Sequence, residues 1–167
     1  MSSSDRRTFL VSGLSAAGLS LAGCGFRPAY GPGGPAEGLR GRIAVDAPDS
    51  IDEFTLVEQL ETRLGRASAP RWRLSYRVST ESEGLGVTAE QDTTRYNITG
   101  RAAFQLRDID SGSVVQSGEV DSFTAYSATG STVATRTAER DAYRRLMVIL
   151  ADEMVTRLLA GSGAWAK

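Results

Sequence analysis

Apolar residues recur every three or four positions in two stretches of the chain, and each stretch predicts an amphipathic helix. In the first stretch the apolar stripe consists of Ile51, Phe54, Val57, Leu60 and Leu64. Ser50 and Glu53 form a capping box at its start, and Gly65 is placed to serve as a left-handed cap at its end. A helix that buries this stripe is therefore expected.

The second stretch is the longest periodic segment, and it begins after Gly130 and Ser131. Gly161 is predicted to end this helix. Asp152 is one of the polar residues on the face opposite the stripe. The apolar stripe itself consists of Tyr143, Leu146, Met147, Leu150, Met154 and Leu158.

Strict alternation of apolar and polar residues, the period of strands, occupies much of the remaining chain. A short strand at 42–45 precedes the first helix, and Pro48 ends it. A second strand at 71–78 places its apolar residues on one face and its arginines on the other. The polar segment 80–92, which contains two glycines, is predicted to be a loop.

A long third strand alternates in the same way over 95–107. Residues 108–112 after it are rich in the residue types that favour a turn. The chain is expected to return over 114–126 as the antiparallel partner in a hairpin. Its alternation slips near Asp121 and Ser122, where a bulge is expected. The element order β-α-β-β-β-α predicts an α/β (α+β) fold, a two-layer sandwich of two amphipathic helices on a mixed sheet of about four strands.

The N-terminal residues have the pattern of a bacterial export signal with a lipobox. A pair of arginines at 6–7 precedes an apolar stretch at 9–21 that is too short to span a bilayer, and the segment 21–24 reads Leu-Ala-Gly-Cys. We predict a signal peptide at 1–23 and an acylated Cys24 that anchors the mature protein to a membrane. A secreted protein with an incidental cysteine is the alternative. The paired arginines fit twin-arginine export as well as the general route.

Glycine and proline crowd the segment 24–41, which favours a lipidated tether over a helix or central strand. One folded domain is expected at 42–161, with a short C-terminal tail at 162–167. A hydrophobic fraction of 41% suits such a domain.

Composition excludes most catalytic chemistry. The chain has no histidine and one cysteine, so Ser-His, Cys-His and histidine-based metal sites are excluded, and no internal disulfide is possible. Removal of 1–23 would leave a net charge of −2, so no bulk electrostatic partner such as a nucleic acid is expected. No motif of a hydrolase nucleophile is present. We expect no enzyme activity, no cofactor and no metal.

Four segments together resemble the LptE family of lipopolysaccharide-assembly lipoproteins, in its α-proteobacterial type. They are 24–31, 96–100, 122–126 and 138–142. The resemblance implies a non-enzymatic lipoprotein on the periplasmic side of the outer membrane. It also implies that the chain plugs the LptD β-barrel and helps to deliver lipopolysaccharide to the outer leaflet. A lipid-binding or scaffolding lipoprotein without a barrel partner is the alternative.

Six arginines on the predicted strands are candidate ligands for lipopolysaccharide phosphates, because guanidinium groups bind phosphate bidentately and keep their charge. A solvated strand face, or contacts with the barrel wall, would explain the same pattern. The six are Arg71, Arg73, Arg77, Arg95, Arg101 and Arg107.

Four carboxylates, those of Asp108, Asp110, Glu119 and Asp121, raise the possibility of a metal site or a glycosidase pair. Two of them lie in the predicted turn, where aspartate is favoured because it bonds to its own backbone. We therefore expect them to be structural.

Overall fold

The fold follows the predicted order of elements. The computed structural model describes residues 30–34, 36–87 and 93–166. The predicted signal peptide and Cys24 lie outside these residues. The elements are β1 (Ile43–Val45), α1 (Ile51–Leu64), β2 (Trp72–Val87), β3 (Thr93–Asp108), β4 (Val114–Ser127) and α2 (Thr132–Trp165).

The four strands form one mixed sheet in the order β1-β2-β3-β4. β1 runs parallel to β2, and the other two pairs are antiparallel. α2 packs on β3 and β4, and α1 packs against α2 and β1. The predicted two-layer sandwich is thus confirmed. The side of the sheet that neither α1 nor α2 covers, called here the open face, carries the odd-numbered side chains of β2, β3 and β4.

Local capping sets the ends of α1. The Ser50 hydroxyl accepts a hydrogen bond from the Glu53 amide at 3.3 Å, as the capping box predicts. The Glu53 carboxylate reaches back one residue further than expected and accepts from the Asp49 amide at 2.9 Å. Gly65 has a positive φ of 81°, which favours glycine there, but its ψ of 142° lies outside the left-handed helical region, so the predicted left-handed cap is wrong in detail.

The buried row of α1 differs from the predicted stripe at its first turn. Ile51 and Phe54 are 87% and 63% exposed. The buried residues are Leu56, Leu60 and Leu64, which are spaced four apart and contribute to the core that α2 also lines. Ile51 and Phe54 lie outside this row, so their periodicity in the sequence did not reflect burial.

β2 extends through most of the segment that was predicted to be a loop. It pairs with β3 as far as Val87, which lies opposite Thr93. The side chains of 80–85 are exposed, so no alternation marks this part of the strand although its backbone remains paired. The loop prediction is therefore wrong for 80–87, and 88–92 lie outside the described residues.

The predicted bulge near Asp121 is wrong, because β4 pairs with β3 in unbroken register there and the irregularity lies between Leu106 and Arg107. The apparent slip has another cause. Phe123 is on the open face and 69% exposed, whereas Thr124 is buried. The Thr124 hydroxyl donates to the Ala142 carbonyl at 3.1 Å, which allows a polar residue in the core.

α2 continues through Gly161, so the predicted helix end is wrong and 162–165 are helical. Gly161 serves close packing instead, because a Cβ there would lie 2.7 Å from the Gln116 side chain of β4. The amide nitrogen of Gln116 donates to the Arg157 carbonyl at 2.8 Å, and its oxygen accepts from the Trp165 indole. A side chain at this position would therefore require the end of the Gln116 side chain to move.

The core confirms the predicted stripe of α2. Tyr143 is half-buried, and the other five residues of the stripe are buried, namely Leu146, Met147, Leu150, Met154 and Leu158. Of the helices that the structure describes, none is long and apolar enough to cross a bilayer.

The end of the predicted tether is packed onto the domain. Ala36 and Leu39 are 0% and 2% exposed and belong to the core. The Tyr30 hydroxyl donates to the Arg63 carbonyl at the end of α1, and the Gly41 amide donates to the Leu64 carbonyl. Burial of two apolar side chains and these hydrogen bonds together hold the segment on the domain.

A polar clamp joins the two helices. The Asp152 carboxylate accepts two hydrogen bonds from Arg63, at 2.9 and 2.8 Å, and one from Gln59 at 2.8 Å. The hydrogen bond from Arg63, followed by that from Gln59, lowers the pKa of Asp152, and partial burial opposes this shift. Asp152 therefore connects α1 to α2.

The outer edge of β4 meets a side chain of α2. The guanidinium of Arg145, which is also paired with Asp141 one turn earlier, donates to the Ala125 carbonyl at 3.3 Å. A cation thus occupies one backbone acceptor of this edge strand.

Candidate functional site

The structure places five of the six candidate arginines on the open face. They are Arg73, Arg77, Arg95, Arg101 and Arg107, and all five are exposed. Arg71 lies just before β2, where its guanidinium is 4.8 Å from the centre of the Trp72 ring and 3.6 Å from the Asp108 carboxylate. Arg71 is thus engaged at the base of the sheet.

The five arginines form a row. Arg73 and Arg107 are direct cross-strand partners. Arg95, Arg101 and Arg107 are each six residues apart on β3, which separates neighbours by about 20 Å at the rise of an extended strand. No single phosphate can reach all of them, whereas a ligand with several anionic groups can contact the row at more than one point.

Neighbouring groups already engage part of the row. Arg101 lies 3.3 Å from Glu119, and Arg73 lies 3.9 Å from Asp46. Arg107 donates to the Gly112 carbonyl at 3.3 Å and to the Gln105 side chain at 3.0 Å. These contacts are solvent-exposed and therefore weak, so an anionic ligand can displace them.

Arg95 has a different setting, at the far end of β3. It lines a groove of about 530 Å³ together with Leu85 and Phe123, which are 44% and 69% exposed. Within the described part of the chain, no carboxylate lies within ion-pair distance of Arg95. A cation beside exposed apolar side chains suits a ligand that is both anionic and apolar.

A second, polar groove of about 590 Å³ lies near the middle of the open face. Arg77 and Glu119 line it from opposite strands, with Ser75, Gln105 and Ser117 between them. Its mixed charge fits a hydrated polar surface better than it fits an isolated phosphate site.

Sequence reasoning missed Leu85 and Phe123 as site residues. Phe123 has the same odd-number parity in β4 as the exposed Glu119 and Asp121, and this is a signal that the sequence contains. Leu85 has no such signal, because the exposed residues 80–85 show no alternation of apolar and polar positions.

Two of the four candidate carboxylates, those of Asp108 and Glu119, have structural partners. Asp108 accepts hydrogen bonds from the Ser111 amide and hydroxyl at 2.9 and 3.0 Å, and these bonds lower the pKa of Asp108. Glu119 faces Arg101. Among 30–34, 36–87 and 93–166 no group of three or more acidic or cysteine side chains is arranged to hold a metal ion.

The sequence of the chain matches a known protein family. The sequence model of the family described as "LptE: Lipopolysaccharide-assembly" matches residues 41–158, well over half of the chain. The chain belongs to the LptE family. The match runs from β1 into the last turns of α2, so it includes all six candidate arginines and both grooves. No curated protein matches the sequence of this LptE chain.

Solved structures of bacterial lipoproteins share the fold of this LptE protein. A putative lipoprotein from Caulobacter crescentus has 20% identity and a TM-score of 0.60, with 71% of this chain and 88% of that chain covered. A minor lipoprotein from Acinetobacter baumannii has 17% identity and a TM-score of 0.56, covering 72% and 91%. The rare lipoprotein B from Shewanella oneidensis has 12% identity and a TM-score of 0.53, covering 71% and 92%. At these identities the likeness concerns the fold alone.

Proposed function

We propose that this member of the LptE family is acylated at Cys24, is held on the periplasmic side of the outer membrane, and plugs the LptD barrel during lipopolysaccharide assembly. Its part is to bind and to position, with no catalytic step. In this proposal the open face meets lipopolysaccharide, through the phosphates that the arginine row contacts.

The groove at Arg95 is the observation that carries the ligand proposal. Lipopolysaccharide combines phosphate groups with acyl chains, and this groove places the Arg95 guanidinium, which has no ion-pair partner among the described residues, beside the exposed side chains of Leu85 and Phe123. Arg101 and Arg107 continue the line of positive charge along the same strand. A ligand held at Arg95 therefore has further cationic contacts in reach on β3.

The arginine row is tested by replacing Arg95, Arg101 and Arg107 with glutamine. Lipopolysaccharide binding by the purified chain should weaken roughly tenfold or more, because charge-assisted hydrogen bonds are lost. Binding to the unchanged chain should also weaken as salt is added.

The matched control has the same loss of charge on α2, where Arg136, Arg140 and Arg144 are exposed on the helix that covers the other side of the sheet. Their replacement by glutamine should leave binding unchanged, and circular dichroism should show that both variants are folded. Equal binding by the two variants would contradict the ligand proposal and favour a solvated face or a contact with the barrel wall.

A lipid-binding or scaffolding lipoprotein without a barrel partner is the second candidate, and the exposed apolar groove is compatible with it. Purification of the chain from outer membranes in mild detergent separates the two. LptD should accompany the chain in a fixed ratio if it is a plug, and should be missing if the second candidate is correct.

A further inference from the structure

The outer edge of β2 has no pairing strand over most of its length. β1 pairs with β2 only from Trp72 to Leu74, whereas β2 continues to Val87. Among residues 30–34, 36–87 and 93–166, no other strand of the sheet lies on this side of β2. The part of this edge that extends from residue 75 to residue 85, beyond β1, is called here the free edge.

Backbone groups along the free edge point away from the sheet. The Trp72 amide and the Leu74 carbonyl both bond to residues that flank β1. The backbone groups of successive residues in a strand point to alternate sides, so the even-numbered residues of the free edge also point outward. They span about 26 Å at the rise of an extended strand, which is room for a strand of ordinary length. These residues are Tyr76, Val78, Thr80, Ser82 and Gly84.

The free edge differs from the outer edge of β4, which is partly closed. On β4 the Arg145 guanidinium occupies the Ala125 carbonyl. β2, in contrast, keeps one register with β3 from Trp72 to Leu85, so no bulge turns this part of the backbone aside. An added strand would therefore meet donors and acceptors of β2 in one continuous line.

The charge beside the free edge is negative. Glu81 and Glu83 are exposed on the open face, and no cation of the described residues lies within ion-pair distance of either. Arg77 is the one basic residue of the free edge, and Arg95 and Arg101 belong to the next strand, β3. A strand added at the free edge would therefore lie next to the two glutamates.

A further excess of carboxylates lies where β1 ends and the free edge begins. A cavity of about 230 Å³ at this point is lined by Asp46, Asp49 and Glu53. Arg77 also lines it, and Arg73 lies 3.9 Å from Asp46. Three carboxylates thus face two guanidinium groups, and the balance of charge has the same sign as further along the free edge.

An exposed apolar side chain lies on the covered side of the sheet, near the free edge. Phe54 of α1 is 63% exposed, and the preceding residue, Glu53, accepts a hydrogen bond from the Tyr76 hydroxyl at 3.4 Å. Phe54 is nine residues, or about two and a half turns, from Arg63, which bonds to Asp152 of α2. Phe54 is therefore on the flank of α1 that faces away from α2, above the outer side of the sheet.

We propose that the free edge binds an extended segment of a partner protein in which basic and apolar residues alternate. The segment joins the sheet as a further strand, with backbone hydrogen bonds to the even-numbered residues of β2. Its basic side chains lie beside Glu81 and Glu83 on the open face, and its apolar side chains lie on the covered side, toward Phe54. In strand addition of this kind the backbone bonds give affinity and the alternate side chains give specificity.

This interaction goes beyond the proposed function and is independent of Cys24 and of the groove at Arg95. It is compatible with a position inside a barrel. The wall strands of a closed barrel already pair with one another and have no free edge, so they cannot pair with β2. Within such a complex the bound segment therefore comes from a loop or a chain end outside the wall strands.

A fluorescent peptide of about ten residues, in which arginine and valine alternate, is the probe for the free edge. It should bind the purified full chain in a nonionic detergent, and fluorescence anisotropy measures the affinity. The double variant Glu81→Lys and Glu83→Lys should weaken binding roughly tenfold or more, because repulsion replaces attraction. The matched control, Glu119→Lys and Asp121→Lys, makes the same change of charge beside the outer edge of β4 and should leave binding unchanged.

Circular dichroism should show that both double variants are folded. An absence of binding by the unchanged chain, or equal losses in the two variants, would overturn the proposal. A dimer of the chain that the peptide dissociates in sedimentation experiments would also overturn it, because a second copy would then be the occupant of the free edge.

Backbone pairing is tested separately from charge. Ser82→Pro removes one outward N–H of β2 without a loss of bonds to β3, and it should weaken binding roughly tenfold or more. Two further peptides carry N-methyl groups on the valines alone or on the arginines alone, and both keep the charge of the probe. One of the two should bind and the other should not, because only alternate amides of an added strand face β2. Equal affinities of the two methylated peptides would overturn the proposal, and this comparison decides if the Ser82→Pro chain fails to fold.

Discussion

Gly161 lies in α2 at the point where the helix crosses the Gln116 side chain of β4. Gly163, two residues later, has nothing within 4 Å of the position that a Cβ would take. Alanine is favoured over glycine in helices by about 1 kcal/mol, so Gly163→Ala should raise the free energy of unfolding by up to roughly that amount.

Gly161→Ala should give no such gain. The new Cβ would displace the Gln116 amide, which bonds to the Arg157 carbonyl and the Trp165 indole, and each lost bond costs about 1 kcal/mol. Denaturant unfolding of the two variants measures the difference, which we expect to be roughly 1 to 2 kcal/mol. Equal gains at both positions would show that Gln116 moves aside without cost.

Single residues account for most of what the sequence could not predict. Phe123 is exposed and Thr124 is buried, which reverses the usual preference of these residue types. The Ala142 carbonyl provides a hydrogen-bond partner for the buried threonine hydroxyl. Ile51 and Phe54 follow a helical period but lie outside the row that α1 buries. In each case the residues that determine whether the side chain is buried are distant in the sequence, and a local pattern contains no information about them.

At the scale of elements, the contact between α1 and α2 includes a titratable group, the carboxyl of Asp152. Asp152 is held by Arg63 and Gln59, and its pKa lies below the ordinary value of 3.8. A carboxyl group with a lowered pKa in the folded state stabilises the fold at neutral pH, and this contribution is lost as the pH falls through the folded pKa.

Asp152→Asn should therefore lower the free energy of unfolding at pH 7 by no more than about 1 kcal/mol, since the pair is partly exposed. The difference between the variant and the unchanged chain should shrink below pH 4, where the unchanged chain loses the same interaction. Urea unfolding at a series of pH values provides the measurement. As a control, Asp141→Asn changes a carboxylate on the same helix that does not contact α1. A difference that persists at low pH would contradict the assignment.

Local signals were sufficient for the elements whose ends are capped. Ser50 makes the bond that its position predicted, and Gly65 and the turn glycine Gly112 have a positive φ, of 81° and 68°. The extension of β2 could not be predicted, because its exposed side chains leave the period of two without a buried face to mark it. Backbone pairing with β3 determines that part of the strand.

At the scale of the whole molecule, the sequence predicted which arginines share a face but not how far apart they lie. Parity along a strand identifies the face, and this is confirmed for five of the six. The register of β2 on β3 determines that Arg73 meets Arg107 while Arg95 lies opposite Leu85. The register depends on the pairing of the whole sheet. The sequence alone therefore could not show whether these arginines form an extended row or a compact cluster.

The anchor proposal predicts where the whole molecule resides. The mature N-terminus should be an acylated Cys24, and the protein should fractionate with the outer membrane. Mass spectrometry of the N-terminal peptide and density-gradient fractionation test these two points. Cys24→Ala should leave the precursor unprocessed and unacylated. An intact Met1 or an unmodified Cys24 in the unchanged chain would contradict the proposal.

The contact of Arg145 with the Ala125 carbonyl has a consequence for self-association. An exposed edge strand is a template on which a second copy of the chain can pair. On β4 the guanidinium occupies one of the acceptors that such pairing needs, and Glu119 and Asp121 add like charges beside the same edge. At the other side of the sheet, where β1 no longer covers β2, Glu81 and Glu83 stand beside the free edge. Among the described residues no further strand covers these two edges, so electrostatic repulsion opposes the joining of two copies into a continuous sheet while the protein is not bound to a partner.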